Sequence, residues 1–431
     1  MTKYTVPNLS FAKTSYQSFS QKLLFGLLIL LSSISILTHA KTADPLPSEA
    51  DFQKWLQQFK PHAIAAGVSP QTVTQAFSQI HLNYKVLELD RRQPEFTQTF
   101  WGYFNRAVTP WRVQQGQKLY QQHRTLLDQV TQKYGVPGRF LIAFWGLETN
   151  YGNYTGNTPT IEALATLSFD RRRSKFFQKE LIAALKILDR GDIPFQQMKG
   201  SWAGAIGQSQ FMPSNVLRYA VDGDDDGKID LWHSLPDIFY SMGNFLKHLG
   251  WRPAENWGRE VKLPTHFNLA LADGKTKRTL PEWAQMGLRL ADGRPLPKQT
   301  HKPAKLQAAL LLPSDYRGPF FLVYPNFYVI KRWNHSDKYA LAVGHLADRI
   351  IGRPPLSVKR PADDQPLSKQ HIKNIQTYLL QQGYTLGKAD GIAGNKTRAA
   401  IRHYQHQHQL PADGQPSHRL LKHLQQRQNN D

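Results

Sequence analysis

Residues 136–156 read VPGRFLIAFWGLETNYGNYTG, and Glu148 is the only acidic residue among them. Pro137 and Gly138 open the segment, Phe140 to Leu147 read as a buried helix, and Asn150 to Gly152 stop it. A carboxylic acid at the end of such a helix, beside Phe144, Trp145 and Leu147, is poorly solvated when charged. Its pKa is expected to rise, which keeps it able to donate a proton near neutral pH. A helix-terminal Glu that simply reaches water is the competing reading, and position alone does not separate the two.

Working outward, helical signals are dense upstream. Phe52, Trp55, Leu56 and Phe59 fall at i, i+3, i+4 and i+7, one apolar stripe. Ser69-Pro70 and Thr109-Pro110 each read as an N-cap followed by proline at the first helical position. The second is expected to open one long helix carrying Leu119, Leu126, Leu127 and Val130, closed by Gly135. Phe100, Trp101, Tyr103 and Phe104 have core-like spacing, with the lining of a sugar cleft as the alternative. Downstream, Asp170 is expected to cap a helix whose Phe177, Leu181, Leu185 and Leu188 face inward before Gly191. Arg171, Arg172 and Arg173 at its start read, on their own, as a solvated charge run. KGSWAGAIGQSQFMPS, residues 199–214, combines small residues that allow close backbone approach with Ser201, Gln208, Ser209 and Gln210, uncharged groups suited to hydroxyls and amides.

Asp222-Gly223-Asp224-Asp225-Asp226-Gly227-Lys228-Ile229 places carboxylates at positions 1, 3 and 5, glycine at 6 and an apolar residue at 8, the start of an EF-hand loop. Clustered aspartates repel unless a cation neutralises them, and oxygen-only ligands favour calcium. The pattern breaks at position 12, where His233 stands in place of Glu, and Asp237 is the available substitute. From Trp251 to Tyr324, repeated Pro, Gly and Asp-Gly breaks around short runs such as 308–312 and 320–324 predict a small β-rich insertion. Helical periodicity returns over 326–350, and the proline-rich, charged 353–366 reads as a flexible linker.

Residues 367–425 read as a separate compact unit, followed by a tail at 426–431. Ile372, Ile375, Leu379 and Leu380 mark one helix, Thr397, Ala400, Ile401 and Tyr404 another, and Asp390-Gly391-Ile392-Ala393-Gly394 a tight turn between them. His403, His406 and His408 do not converge on one helix face and read as solvated.

Residues 1–40 hold three lysines, an apolar run from Leu23 to Leu37 and the small-x-small ending Thr38-His39-Ala40, the pattern of a secretory signal peptide. No cysteine is present, which excludes disulfides and a lipidated cysteine anchor. The formal charge of +22, or +19 without Lys3, Lys13 and Lys22, suggests an anionic partner. The basic residues are spread along the chain with no nucleic-acid motif, so acidic envelope polymers are the better match. The expectation is an exported, periplasmic, soluble monomer with no transmembrane anchor once the signal is cleaved, and about 390 residues suit two or three domains.

Five motifs in order resemble the membrane-bound lytic murein transglycosylase B family: WGLETNYG (145–152), LATLSFDRRRSKFFQKEL (164–181), the 199–214 stretch, YAVDGDDDGKIDLWHSLPD (219–237) and PNFYVIKRWNHSDKYALAV (325–343). Residues 367–425 resemble the peptidoglycan-binding type 1 domain through DGIAGNKTRAAI (390–401) and YQHQHQLPADG (404–414). The resemblance implies a mainly α, α+β architecture. A lysozyme-like catalytic domain over 41–352 would carry a β insertion at about 251–324, and a small three-helix wall-binding domain would follow. It implies a catalytic role for Glu148 and glycan contacts from Ser201, Gln210, Arg172, Arg173, Phe176, Phe245, Asn334 and Tyr339. Trp333 stands where the family often has tyrosine, able to stack on a sugar but without the phenol. The resemblance also lets Asp237 join Asp222, Asp224, Asp226 and the Lys228 carbonyl around a structural Ca2+, with no cofactor for catalysis.

A hydrolase acting on peptidoglycan strands would need a second carboxylate as base or nucleophile, and no motif offers one. A single Glu suffices if it protonates the glycosidic oxygen and then deprotonates the 6-hydroxyl of N-acetylmuramic acid, giving a 1,6-anhydro end. A water-using muramidase and a non-catalytic wall-binding protein are the alternatives.

Overall fold

The computed structural model describes residues 47–92, 98–297 and 306–428, and the expected signal segment lies outside them. The described chain is mainly helical, with three separate apolar cores.

The largest core is built by helices from Glu49–Ala65 through Asp337–Ile350. The first opens on the Ser48 side chain, which accepts the Asp51 N–H, and buries Phe52, Leu56 and Phe59. Pro70 and Pro110 each sit in the first turn after capping Ser69 and Thr109. The expected long helix after Thr109 is two, Pro110–Gln122 and Arg124–Tyr134, broken at His123. The His123 ring lies against Trp145 and Phe239, so the chain changes direction where that ring packs. The second piece ends on left-handed Gly135. Asp170 does not cap the following helix, which runs Ser174–Arg190. Asp170 instead closes the preceding helix Thr160–Phe169, and its Oδ1 accepts the Arg172 N–H in the turn.

The β insertion is a five-stranded antiparallel sheet. Its strands are β3 (Gly258–Lys262), β4 (Asp273–Thr279), β5 (Arg289–Leu290), β6 (Gln307–Leu311) and β7 (Phe320–Val323), after a two-residue pair, β1 (Thr158–Pro159) and β2 (Lys199–Gly200). The order is β4-β6-β7-β3-β5. Side chains alternate faces along a strand. Ala309, Leu311, Phe321 and Val323 therefore join the helical core. Ala308, Leu310 and Leu322 build a second core with Trp283 of the short helix Leu280–Gln285. Burial on both faces explains why β6 and β7 read as unbroken apolar runs rather than alternating ones.

The C-terminal unit has the three helices Lys369–Gln381, Asn395–Gln407 and His418–Gln428 around Ile375, Leu379, Ile401, Tyr404 and Leu424. Residues 353–366 do not hang free, contrary to the flexible-linker expectation. Leu356 and Val358 pack on the helical core, and Ser357 donates through its N–H and hydroxyl to Glu260. Asp363 pairs with Arg317 at 2.7 Å, and Asp364 accepts from the Thr99 hydroxyl at 2.9 Å. Among the described residues, no helix is long and apolar enough to cross a membrane.

Candidate active site and metal loop

Glu148 sits in the last turn of the helix Gly138–Thr149, whose Phe140 to Trp145 are buried without a break. Asn150 ends the helix in the left-handed region at φ 53°, and Tyr151 follows at φ 63°. The sharp reversal sends Tyr151 back under the helix, where its hydroxyl donates to the Arg112 carbonyl at 2.6 Å. Gly156, at φ 96°, lets this loop meet the 199–214 stretch, since a Cβ there would lie 2.1 Å from the Gly200 oxygen.

Two donors from the far end of the chain meet Glu148. Trp333 Nε1–H donates to Oε1 at 2.8 Å, and the Tyr339 hydroxyl donates to the same oxygen. They come from consecutive helices, Pro325–Asn334 and Asp337–Ile350, separated by left-handed His335 and the capping Ser336. Burial against the apolar wall pushes the Glu148 carboxyl up to about 7, with the two hydrogen bonds opposing the rise. No acidic side chain contributes to that shift. Tyr339 is itself buried and lies beside the carboxylate, so its phenol is held well above its ordinary value and only donates. Trp333 is wedged among Phe144, Phe211 and Phe245, with ring centroids 4.5, 5.3 and 5.1 Å away.

Behind the carboxylate, Gln208 ties three segments together. Its Oε1 accepts from Trp145 Nε1–H at 2.7 Å, its Nε2 donates to the Trp232 carbonyl at 2.6 Å, and its own carbonyl accepts the Thr149 hydroxyl at 3.1 Å. It is therefore committed internally. Its Trp232 bond links the Glu148 helix to the acidic loop.

In that loop, oxygens of Asp222, Asp224 and Asp237 lie within 4.8 Å of one another. Buried Asp237, in the first turn of the helix Leu235–His248, accepts the Gly223 N–H at 2.7 Å and the Asp230 N–H at 2.6 Å. Desolvation first, and then its neighbours Asp224 and Asp222, raise its pKa. His233 points away to Asp230, so the loop closes through Asp237. Asp226 differs from expectation: it stands outside the converging three, its Oδ1 accepting the Lys228 N–H in a local turn. An all-oxygen, like-charged cluster suits a hard divalent cation.

Residues 51–348 match the family described as Transglycosylase SLT domain. The chain belongs to that family. Residues 368–424 match the Putative peptidoglycan binding domain family. Membrane-bound lytic murein transglycosylase B of Escherichia coli (strain K12) is 36% identical over 255 residues, 58% of this chain and 66% of that protein, just under two thirds of its length. SltB3 from Pseudomonas aeruginosa, solved with NAG-NAM-pentapeptide, superposes with a TM-score of 0.82 at 44% identity, covering 86% of this chain and 99% of that one. The Escherichia coli lytic transglycosylase Slt35 in complex with calcium gives 0.59 at 32% identity, covering 69% of this chain and 92% of that one.

The other expected contacts of the SLT domain are placed as follows. Ser201 Oγ accepts the Ala205 N–H at 3.0 Å, and Gln210, left-handed at φ 50°, donates from Nε2 to the Thr155 and Gly207 carbonyls. Phe176 and Asn334 are exposed, whereas Phe245 is buried between Tyr219 and Trp333. Arg172 and Arg173 are not a free charge run. Both guanidinium groups are held by Asp90, whose side chain is 2% exposed, while their own side chains stay 44% and 41% exposed. Asp90 carries no motif of its own in the SLT sequence, so only the fold reveals the clamp. Tyr103 is half-buried near Tyr339, while Phe100, Trp101 and Phe104 are core.

Proposed function

We propose that this chain is a lytic transglycosylase that cleaves the β-1,4 bond between N-acetylmuramic acid and N-acetylglucosamine in peptidoglycan, leaving a 1,6-anhydro end. The observation that carries this is a solitary carboxylate poised near 7, with both of its donors on one oxygen. A two-carboxylate glycosidase would place a second acid within about 5–9.5 Å, where it would perturb the first. Among the described residues, no other carboxylate contributes to the raised pKa of Glu148.

Trp333 Nε1–H is a donor only, so Oε1 remains an acceptor and the acidic proton belongs on Oε2. Oε2 gives that proton to the glycosidic oxygen as its bond to the anomeric carbon breaks. The substrate N-acetyl oxygen stabilises the positive centre meanwhile. The 6-hydroxyl then attacks the same carbon, and its proton returns to Oε2. The acid is regenerated and no water is consumed.

Exposed Phe176 and Asn334, the half-exposed Arg172 and Arg173, and Ser201 and Gln210 are the proposed glycan contacts, with Phe245 supporting Trp333 from below. Asp222, Asp224 and Asp237, with the Lys228 carbonyl, would hold a structural calcium ion that supplies cross-linking and charge neutralisation to the loop. A peptidoglycan substrate supports a periplasmic location, where the protein would act as a monomer. Mass analysis of sacculus digests tests the reading. Anhydro-muropeptides are expected, absent with Glu148→Gln, whereas products heavier by one water would mean a muramidase.

A further inference from the structure

The C-terminal unit contains one constellation twice. In the first copy, Gln376 of the helix Lys369–Gln381 donates from Nε2 to Asp390 Oδ1 at 3.0 Å and accepts the Gly391 N–H at 2.8 Å. In the second, Gln405 of the helix Asn395–Gln407 donates to Asp413 Oδ1 at 2.7 Å and accepts the Gly414 N–H at 2.8 Å. The agreement extends further. Oδ1 of each aspartate also accepts the N–H two residues on, from Ile392 at 2.8 Å and Gln415 at 2.9 Å. Each glycine is left-handed and lies against a helix carbonyl two turns before the glutamine. A Cβ would sit 2.7 Å from the Lys369 oxygen in one copy and 2.8 Å from the Arg398 oxygen in the other.

The copies differ in what lies outside them. Asp413 Oδ2 accepts the Tyr316 N–H at 2.9 Å, and neighbouring Gln415 donates to the Leu312 carbonyl at 3.3 Å. The second turn therefore grips a stretch of backbone from the catalytic body. Asp390 offers its Oδ2 in the same geometry, but among the described residues no hydrogen-bond donor meets it, Lys369 acting on the carboxylate through charge alone, and Asp390 is exposed. Beside it Ile392 is 63% exposed, an apolar surface with nothing over it. Exposed Lys369 lies against the turn, and exposed Lys388 and Lys396 flank it in sequence.

We infer that the Asp390-Gly391-Ile392 turn binds the backbone of an acidic peptide. Asp390 Oδ2 accepts a peptide N–H as Asp413 Oδ2 accepts that of Tyr316, Ile392 covers a side chain, and the lysines attract the ligand's carboxylates. Given the wall-polymer reading above, on which this rests, the peptide is the arm attached to muramic acid rather than the sugar chain.

The test uses full-length Glu148→Gln protein, which leaves the polymer uncut, pelleted with intact sacculi and with sacculi stripped of peptide by an amidase. Asp390→Asn keeps an inward acceptor but turns a donor outward, toward the peptide N–H. Loss of one charge-assisted hydrogen bond is expected to weaken binding to intact sacculi about tenfold. Binding to stripped sacculi should stay unchanged. Ile392→Asp, at an exposed position, should give the same pattern if the asparagine variant melts early. Unaltered binding of both variants to intact sacculi overturns the inference, and so does an equal loss on stripped sacculi. Failure of the Glu148→Gln parent to pellet at all would overturn the wall-binding reading itself.

Discussion

In the proposed mechanism, replacing Glu148 by glutamine keeps its shape while removing both proton transfers. Release of anhydro-muropeptides should fall by at least about 10⁴-fold, the upper end for general acid–base catalysis. The same substitution has a pH-dependent effect on stability. Burial moves the folded-state carboxyl from the ordinary 4.5 up to about 7, so burying it is unfavourable only where it is charged. That penalty is absent below the unfolded pKa and complete above the folded one. Glu148→Gln should therefore melt at a higher temperature than the parent at pH 8, with the gap closing by pH 4 in paired thermal scans. Activity of the parent should decline as pH rises through about 7, because the first step needs the acid. Tyr339→Phe removes a hydrogen bond that lowers the Glu148 pKa, so the upper limb of its kcat/KM profile should move to higher pH. An unmoved limb would mean that Tyr339 does not tune the acid. The isolated charge in an apolar helix made Glu148 legible in sequence. Its partners were legible only as family positions. That Trp333 and Tyr339 both reach Oε1 depends on two helices closing from a distant part of the chain.

At the scale of elements, the acidic loop ties the Leu235–His248 helix to the 219–223 segment through Asp237. A cation bound only by the folded state adds about RT ln(1+[L]/Kd), about 2.7 kcal/mol at a hundredfold excess over Kd. Chelator should lower the melting temperature of calcium-loaded protein, and calcium should restore it. Asp237→Asn should abolish that response, because two backbone N–H groups and two carboxylates converge on this side chain. Asp226→Asn should leave most of it. Periodicity disclosed most helices because each buries one stripe, as Phe52, Leu56 and Phe59 do. It missed the break at His123, since Leu119 and Leu127 keep their spacing across it and no proline or glycine marks the turn. The breaking contact is tertiary. Asp170 differs: its side chain is spent on a local turn, accepting the N–H two residues on, rather than on the expected helix.

For the molecule as a whole, composition suggested a tether at 353–366, and its prolines and charges do keep the segment out of regular structure. Composition could not show that Ser357, Asp363 and Asp364 find partners on elements far away in sequence. A chain ended at Arg353 should cleave soluble fragments and pellet less with sacculi. It should also melt a few degrees lower, because the apolar seats of Leu356 and Val358 are vacated. Arg317→Ala, with the chain intact, should make 353–366 more susceptible to protease without changing turnover of soluble fragments. The strap has a mechanical consequence. A wall under turgor is a stretched network, and an enzyme gripping it through the C-terminal unit is a link in series with it. Tension on that unit would enter the catalytic body at the Asp363–Arg317, Asp364–Thr99 and Ser357–Glu260 contacts and at the Asp413 grip on Tyr316, at the sheet and the outer helices. None of these contacts lies on the helix Gly138–Thr149, so a pulled anchor would load the sheet and the outer helices before the segment that carries Glu148.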